Sequence, residues 1–420
     1  MLNEIGSHPY GVLGLSNFER NLGLPRHRWF QFKEGFSAEL VRLAVRDFGL
    51  KRRPSVIDPF AGCGTTIVEA GLLGVRATGI EVNPFLLFAA KAKTTRADRG
   101  RGAYLLAFEN LLQRSQEDLP SHLEGLSTFT ETHANEKWLF DLPVVRAFTG
   151  LRQTIRKSRI VPRPLELALF GALLDCCNAK RDGKCLRYHR EWEKRRFTAE
   201  DLRTAFHRRG LAIVEDMEEA AIKSNSLTIT LGDCRVVLPS LDPASFDLLI
   251  TSPPYLNSFD YSDVYRPELF AGRFVSSNEE LRRIRLQTVC SHVQVKRVYS
   301  EEIVSPMLVP VLDKICSERL WNRNIPAMIR SYFSDLAGVL EQCHRIINRC
   351  GRAWIVVGTS AYAGVEVPVD LILADIAVKR GWGLVGVFVL RQLRAAGQFW
   401  AHLDKGAKPP LRESLILLEK

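Results

Sequence analysis

The sequence predicts an α/β protein built around a parallel sheet with crossover helices. Two observations carry this. Short β-rich runs alternate with helical stretches along most of the chain. The first repeat of that alternation, from Ser55 to Glu81, is a strand, a glycine turn, a helix and a second strand. The chain has 420 residues, 46% hydrophobic and 25% charged, which suits a folded globular protein with a sizeable core.

The elements follow in order. Ser55-Val56-Ile57-Asp58 reads as a strand entering the glycine turn, Thr66 to Leu73 as a helix, and Ala77 to Glu81 as the second strand. A third strand, Leu227 to Leu231, ends at Gly232-Asp233, and a fourth, Phe246 to Thr251, ends at Ser252-Pro253-Pro254-Tyr255. Phe333, Leu336, Leu340, Cys343 and Ile347 recur at helical spacing between Ser331 and Asn348, with Ser331 available as N-cap. A strand from Ala353 to Val357, a helix from about Val369 to Arg380, and strands Leu384 to Leu390 and Ser414 to Leu418 complete a sheet of about seven strands.

Two stretches, roughly Thr95 to Asn225 and Leu256 to Arg330, are too long to be connections and should carry helices of their own. At about 150 residues per domain, two or three domains are the prior, and one α/β domain with a large insertion fits equally well. The expected division is 1–94, the N-terminal segment with the first half of the catalytic domain; 95–225, a mainly helical insertion and candidate target-recognition region; and 226–420, the second half, with a further insertion at about 256–330.

Composition narrows the class. No apolar run approaches the ~20 residues that span a bilayer, and the first residues, MLNEIGSHPYG, lack the basic and apolar regions of a signal peptide. A cytoplasmic protein is expected. Nine scattered cysteines with no CxxC pair argue for reduced thiols, and Cys176, Cys177, Cys185 and His189 match no usual zinc spacing, so no metal is expected. A formal charge of +11 points to a polyanionic partner.

In Asp58-Pro59-Phe60-Ala61-Gly62-Cys63-Gly64-Thr65-Thr66, two glycines remove Cβ atoms where a ligand approaches the backbone. Glu81, ending the next strand, is placed to accept both hydroxyls of a ribose. Together with Thr251-Ser252-Pro253-Pro254-Tyr255, these residues resemble the amino-group DNA methyltransferases, which move a methyl from S-adenosylmethionine to an exocyclic base nitrogen. The order here, cofactor turn first and tetrapeptide far downstream, is one of that family's permutations; many N4-cytosine members place the tetrapeptide first.

The resemblance implies a Rossmann-like methyltransferase fold with a mixed seven-stranded sheet bearing a large, mainly helical insertion. It implies S-adenosylmethionine as cofactor, held by Asp58, Phe60, Gly62, Gly64, Thr65, the ribose-binding Glu81 and the adenine-contacting Asp233. His27-Arg28-Trp29-Phe30 through Phe36 resembles the segment that covers the cofactor's methionine end, with Phe30 as its contact. Ser252, Pro253, Pro254 and Tyr255 take the catalytic positions.

The tetrapeptide has a physical logic of its own. An exocyclic amine is a poor nucleophile because its lone pair is delocalised into the ring. Acceptors on both N–H bonds, the Ser252 hydroxyl and the Pro253 carbonyl, favour a tetrahedral nitrogen with its lone pair aimed at the methyl group. Pro254 holds Pro253 extended, and Tyr255 offers a stacking face to a base swung out of the duplex. Asn257, Asp260 and Tyr261, just beyond, are candidates to line the target-base pocket. Cytosine C5 chemistry needs a cysteine nucleophile in a Pro-Cys pair, which the chain lacks; Cys63 and Cys234 read as structural.

From Cys176 to Gly210 there are 11 Lys and Arg against 5 Asp and Glu, with Tyr188, Trp192 and Phe197 interleaved. This pattern suits phosphate contact, with Arg187, Arg190, Arg195 and Arg196 as the candidates. Arg282, Arg283, Arg285, Lys296 and Arg297, with His292, form a second basic region. The expected substrate is double-stranded DNA with one base flipped out and the expected product N4-methylcytosine, with N6-methyladenine next. RNA and protein-glutamine methyltransferases usually carry Asn or Asp where Ser252 stands, and a binding protein with a dead site is the remaining alternative. A cognate restriction enzyme or defence system is a compatible partner.

Overall fold

The computed structural model describes residues 2–4, 8–12, 14–49, 53–114, 117–132, 137–158, 161–181, 185–257, 260–393 and 411–420. After a two-residue edge strand β1 (Leu2–Asn3), helix α1 (Ala38–Phe48) starts at Ser37, whose hydroxyl accepts the Leu40 N–H. Then come β2 (Ser55–Asp58), α2 (Thr65–Leu73), β3 (Arg76–Glu81) and α3 (Pro84–Lys93). The first long insertion supplies α4 (Arg101–Arg114), α5 (Leu142–Lys157), α6 (Pro162–Asp175), a hairpin of β4 (Ala179–Arg181) and β5 (Leu186–Tyr188), and α7 (Ala199–Glu219). The sheet resumes with β6 (Leu227–Leu231), α8 (Cys234–Val237) and β7 (Phe246–Thr251).

The second insertion carries α9 (Tyr261–Val264), α10 (Arg266–Ala271), α11 (Asn278–Gln287) and α12 (Leu308–Cys316). The chain closes with α13 (Ile325–Ile346), β8 (Ile347–Gly358), the small hairpin β9 (Ser360–Tyr362) and β10 (Val365–Val367), α14 (Val369–Lys379), β11 (Gly383–Gln392) and β12 (Arg412–Glu419).

The main sheet has the order β1-β11-β12-β8-β7-β2-β3-β6, seven substantial strands plus the short β1. Strands β6, β3, β2, β7 and β8 are mutually parallel, while β12 runs antiparallel to both β8 and β11. Along each strand alternate residues enter opposite cores. Val56, Leu248, Trp354 and Leu415 face α1 and α2, whereas Ile57, Leu249, Ile355 and Ile416 face α13 and α14. A sheet buried on both faces explains why these runs read as continuously apolar. The chain leaves the central β2 for β3 and β6 and returns on the other side as β7. That reversal opens a crevice at the carboxyl ends of the strands.

Both insertions are mainly helical; the first shares a core with α9 to α11 of the second, with α3 and with residues between Phe18 and Phe30, whereas α12 packs into the core under α13 and α14. The buried Arg152 on α5 pairs with Glu166 at 2.6 Å and donates to the carbonyls of Ala271 and Gly272 in the second insertion. One expectation changes. Helix α13 begins at Ile325, with Pro326 in its first turn, so Ser331 is not its N-cap. The apolar period continues backward through Met328 and Ile329, and the buried Ser331 hydroxyl instead accepts the Ser300 N–H at 2.7 Å.

Candidate active site

Because β2, β3, β6 and β7 are parallel, the glycine turn, Glu81, Asp233 and the Ser-Pro-Pro-Tyr loop all emerge at one edge of the sheet. They line a single cavity of about 250 Å³. Asp58, Phe60, Gly62, Thr65, Glu81, Asp233, Ser252, Pro253, Pro254, Tyr255 and Asn257 all contribute to its wall.

At the cofactor end, Glu81 accepts the Gly62 and Asn83 N–H groups, both at 2.7 Å. No cation faces it among the described residues, and burial pushes its carboxyl up to about 7. Asp58 receives the hydroxyls of Thr251 and Thr66 at 2.6 and 2.7 Å and the Phe60 N–H at 3.1 Å, and burial raises it to about 6. Asp58 thus ties the end of β7 to the glycine turn, a positioning role. Gly62 has φ +53°, and a Cβ there would lie 2.7 Å from the Phe32 ring. Gly64, at φ +87°, lies outside the cavity wall; a Cβ there would meet Ala90 on α3 at 2.8 Å. The second glycine therefore permits helix packing rather than ligand approach.

The covering segment also differs in detail. Phe30 is buried in the helical core, 5.1 Å from the Phe85 ring, and does not line the cavity. Phe32 to Phe36 do. The turn before them is held down by Asp216 of α7, which accepts the Arg26 N–H, the Arg28 guanidinium and the Trp29 indole N–H. Asp233 lines the cavity, but its carboxylate is paired with the Arg235 guanidinium at 2.7 Å and caps α8 through the Arg235 N–H.

At the tetrapeptide, the Tyr332 hydroxyl donates to the Pro254 carbonyl at 2.9 Å. Among the described residues nothing engages the Ser252 hydroxyl or the Pro253 carbonyl. Asp260 lies off the cavity wall: it accepts the Ser262 N–H and hydroxyl and pairs with Arg285 at 2.5 Å. The Tyr261 backbone opens α9, and its side chain lies outside the described residues.

In the basic stretch, Arg203 pairs with Asp118, Arg208 and Arg209 pair with Asp175, and Arg181 pairs with Glu268. Arg187, Arg190 and Arg196 are exposed. Arg195 lies over Phe197 and Arg196 over Trp138, at 5.0 and 5.1 Å. The β4–β5 hairpin adjoins the cavity, since Lys33 of the cavity wall donates to the Arg181 carbonyl at 2.9 Å. The second basic region is mostly spent on structure. Arg285 pairs with Asp260 and Asp263, Arg297 donates to backbone carbonyls, and His292 is 1% exposed, with burial pushing it down to about 4.

Sequence reading missed Glu34, the Gln287-Thr288 corner and the Arg391–Glu413 pair, all on the cavity wall. Only the charges bounding the apolar runs of β11 and β12 hinted at the last.

The residues fit S-adenosylmethionine: a buried carboxylate, faced by no cation among the described residues, lines the cavity beside the backbone of Gly62. A fold and cavity of this kind suit an S-adenosylmethionine-dependent methyltransferase. No family profile matches the chain. It is 25% identical over 417 residues to the Type II methyltransferase M.AvaI of Nostoc sp., covering 89% of this chain and 82% of that protein. It is also 25% identical over 452 residues to the Type II methyltransferase M.BsoBI of Geobacillus stearothermophilus, covering 97% and 88%. A stretch of 63 residues is 36% identical to the tRNA (guanine(10)-N2)-dimethyltransferase of Methanothermobacter thermautotrophicus, covering 15% of this chain and 19% of that protein. The chain is thus similar over most of its length to two Type II methyltransferases.

Proposed function

We propose that the protein methylates the exocyclic N4 of cytosine at specific sites in double-stranded DNA, acting on a base flipped out of the helix. The observation that carries this reading is the pair of acceptors left unengaged among the described residues, the Ser252 hydroxyl and the Pro253 carbonyl, on the cavity wall that also holds the glycine turn. Bound S-adenosylmethionine supplies an electrophilic methyl group. Ser252 and Pro253 take the two N–H bonds of the target amine, so its lone pair is localised as the nitrogen becomes tetrahedral. Tyr255 stacks on the base, a contact worth about 1–3 kcal/mol. Asp58 acts indirectly, keeping β7 and the glycine turn in register.

The helical insertion 95–225 serves as the target-recognition region in this proposal, with Arg187, Arg190, Arg195 and Arg196 on phosphates beside the cavity. A cytoplasmic location accords with the absence, among the described residues, of any helix long and apolar enough to cross a membrane. A cognate restriction enzyme is the partner that accords with the Type II relatives.

Mass spectrometry of nucleosides from treated DNA tests the reading. The expected product is 4-methylcytosine; 6-methyladenine without it overturns the base assignment, and unmodified DNA overturns the activity. Ser252→Ala should slow methyl transfer roughly 10- to 100-fold, the worth of one strengthened hydrogen bond, with cofactor affinity intact. Neutralising the four arginines should flatten the salt dependence of DNA binding by a slope of roughly 0.9 for each phosphate no longer neutralised. An unaltered slope returns that stretch to a solvated surface.

A further inference from the structure

Beside Tyr255, the carboxyl edge of the sheet carries a row of residues set by strand register. Gly358 on β8 pairs with Glu413 on β12, and Glu413 pairs in turn with Arg391 on β11. The Tyr255 ring lies against Gly358, so closely that a Cβ there would be 2.8 Å from it. Glu413 is buried, with 4% of its surface exposed, and it accepts the Arg391 Nε–H at 2.5 Å and an Nη2–H at 2.9 Å. Both side chains lie on the cavity wall, and that of Arg391 is 42% exposed.

We propose that Arg391, held by Glu413, reads the target base as cytosine; this rests on the N4-cytosine reading above. A guanidinium has five N–H groups in a fixed plane. Glu413 uses one edge, on Nε and Nη2, which leaves a second fork formed by Nη1 and the other Nη2 hydrogen. Among the described residues no acceptor engages that fork.

The edge of a flipped cytosine presents its N4 amine followed by two adjacent acceptors, N3 and O2. With the amine on Ser252 and Pro253, those acceptors call for two parallel donors, the geometry in which arginine is strongest. Adenine offers N1 beside its amine and then only a C–H, so it leaves half of the fork unmatched. Pairing with Glu413 also offsets the positive charge of Arg391. An uncompensated cation at N3 would draw the N4 lone pair further into the ring and oppose the reaction.

The test uses the full-length enzyme on plasmid DNA from a host without DNA methyltransferases. Initial rates of 4-methylcytosine formation are measured for wild type, Arg391→Ala and Arg391→Lys, with calorimetric S-adenosylmethionine affinity alongside. Arg391→Ala should lower kcat/KM for DNA about 10- to 100-fold, the worth of one bidentate base contact. Cofactor affinity should not change, which separates the effect from misfolding. Lysine keeps a cation beside Glu413 but has no fork, so Arg391→Lys should recover little of the loss. If Arg391→Ala fails to bind cofactor, Arg391→Lys decides alone. A wild-type rate in a cofactor-binding variant overturns the assignment of Arg391 and leaves the N4-cytosine reading standing. Methyl on adenine in the wild-type reaction overturns both, and is seen before any variant is made.

Discussion

Four carboxylates of the cavity wall, Glu81, Asp58, Asp233 and Glu413, fall into two groups with different partners. Glu81 and Asp58, at the cofactor end, receive only backbone N–H and hydroxyl donors, and burial lifts them to about 7 and about 6. Asp233 and Glu413 each pair with an arginine, Arg235 and Arg391, as does Asp260 just off the wall with Arg285. A buried carboxylate without a cation costs stability, and it persists where a ligand's hydroxyls or a structural junction make use of it. A carboxylate already satisfied by a guanidinium is first a fastener. On this comparison we propose Glu81 as the principal polar contact for the cofactor. Asp233 chiefly holds Arg235, which also pairs with Asp335 on α13 and donates to the Gln287 carbonyl in the second insertion.

The sharpest way to break the comparison is Glu81→Ala. It should weaken S-adenosylmethionine binding about 100-fold, because it removes the acceptor for the ribose and leaves the Gly62 and Asn83 N–H groups unpaired. Unchanged affinity by calorimetry would end the distinction between the two groups.

A smaller effect is expected from pH. The Glu81 pKa is raised to about 7, so the carboxyl is largely neutral at lower pH and gains its full accepting capacity only above that value. Ribose hydroxyls donate to the ionised form, so cofactor affinity should rise about tenfold between about pH 6 and about pH 8. Glu81→Gln should flatten that rise. A fall in affinity across the interval would contradict the sign. Smallest of all, Asp233→Asn should reduce affinity by only about threefold, since most of its carboxylate is committed to Arg235. A loss matching that of Glu81→Ala would make Asp233 an equal contact and erase the contrast.

The sheet was largely legible beforehand. Ser55–Asp58, Leu227–Leu231 and Phe246–Thr251 form strands with the expected ends, because apolar runs bounded by Gly, Asp and Pro carry their limits locally. The convergence of the glycine turn, Glu81 and the Ser-Pro-Pro-Tyr loop followed from the same information, since parallel strands deliver their carboxyl ends to one edge. The start of α13 did not, because Ser331 resembles a cap in sequence while the helix extends through buried Ile325, Met328 and Ile329.

What the sequence by itself determined, then, was period, turns and the motifs that turns carry, all of which depend on neighbours a few residues away. Only the tertiary structure decided which charges were free to act. Phe32 displaced Phe30 at the cavity because Phe30 found partners on α3 and in the helical insertions. Arg203 and Arg209 were withdrawn from a basic run by Asp118 and Asp175, 85 and 34 residues away. Arg391 and Glu413 became a pair through the antiparallel register of β11 and β12. A charged side chain is defined by its partner, and at such separations only the folded chain supplies one.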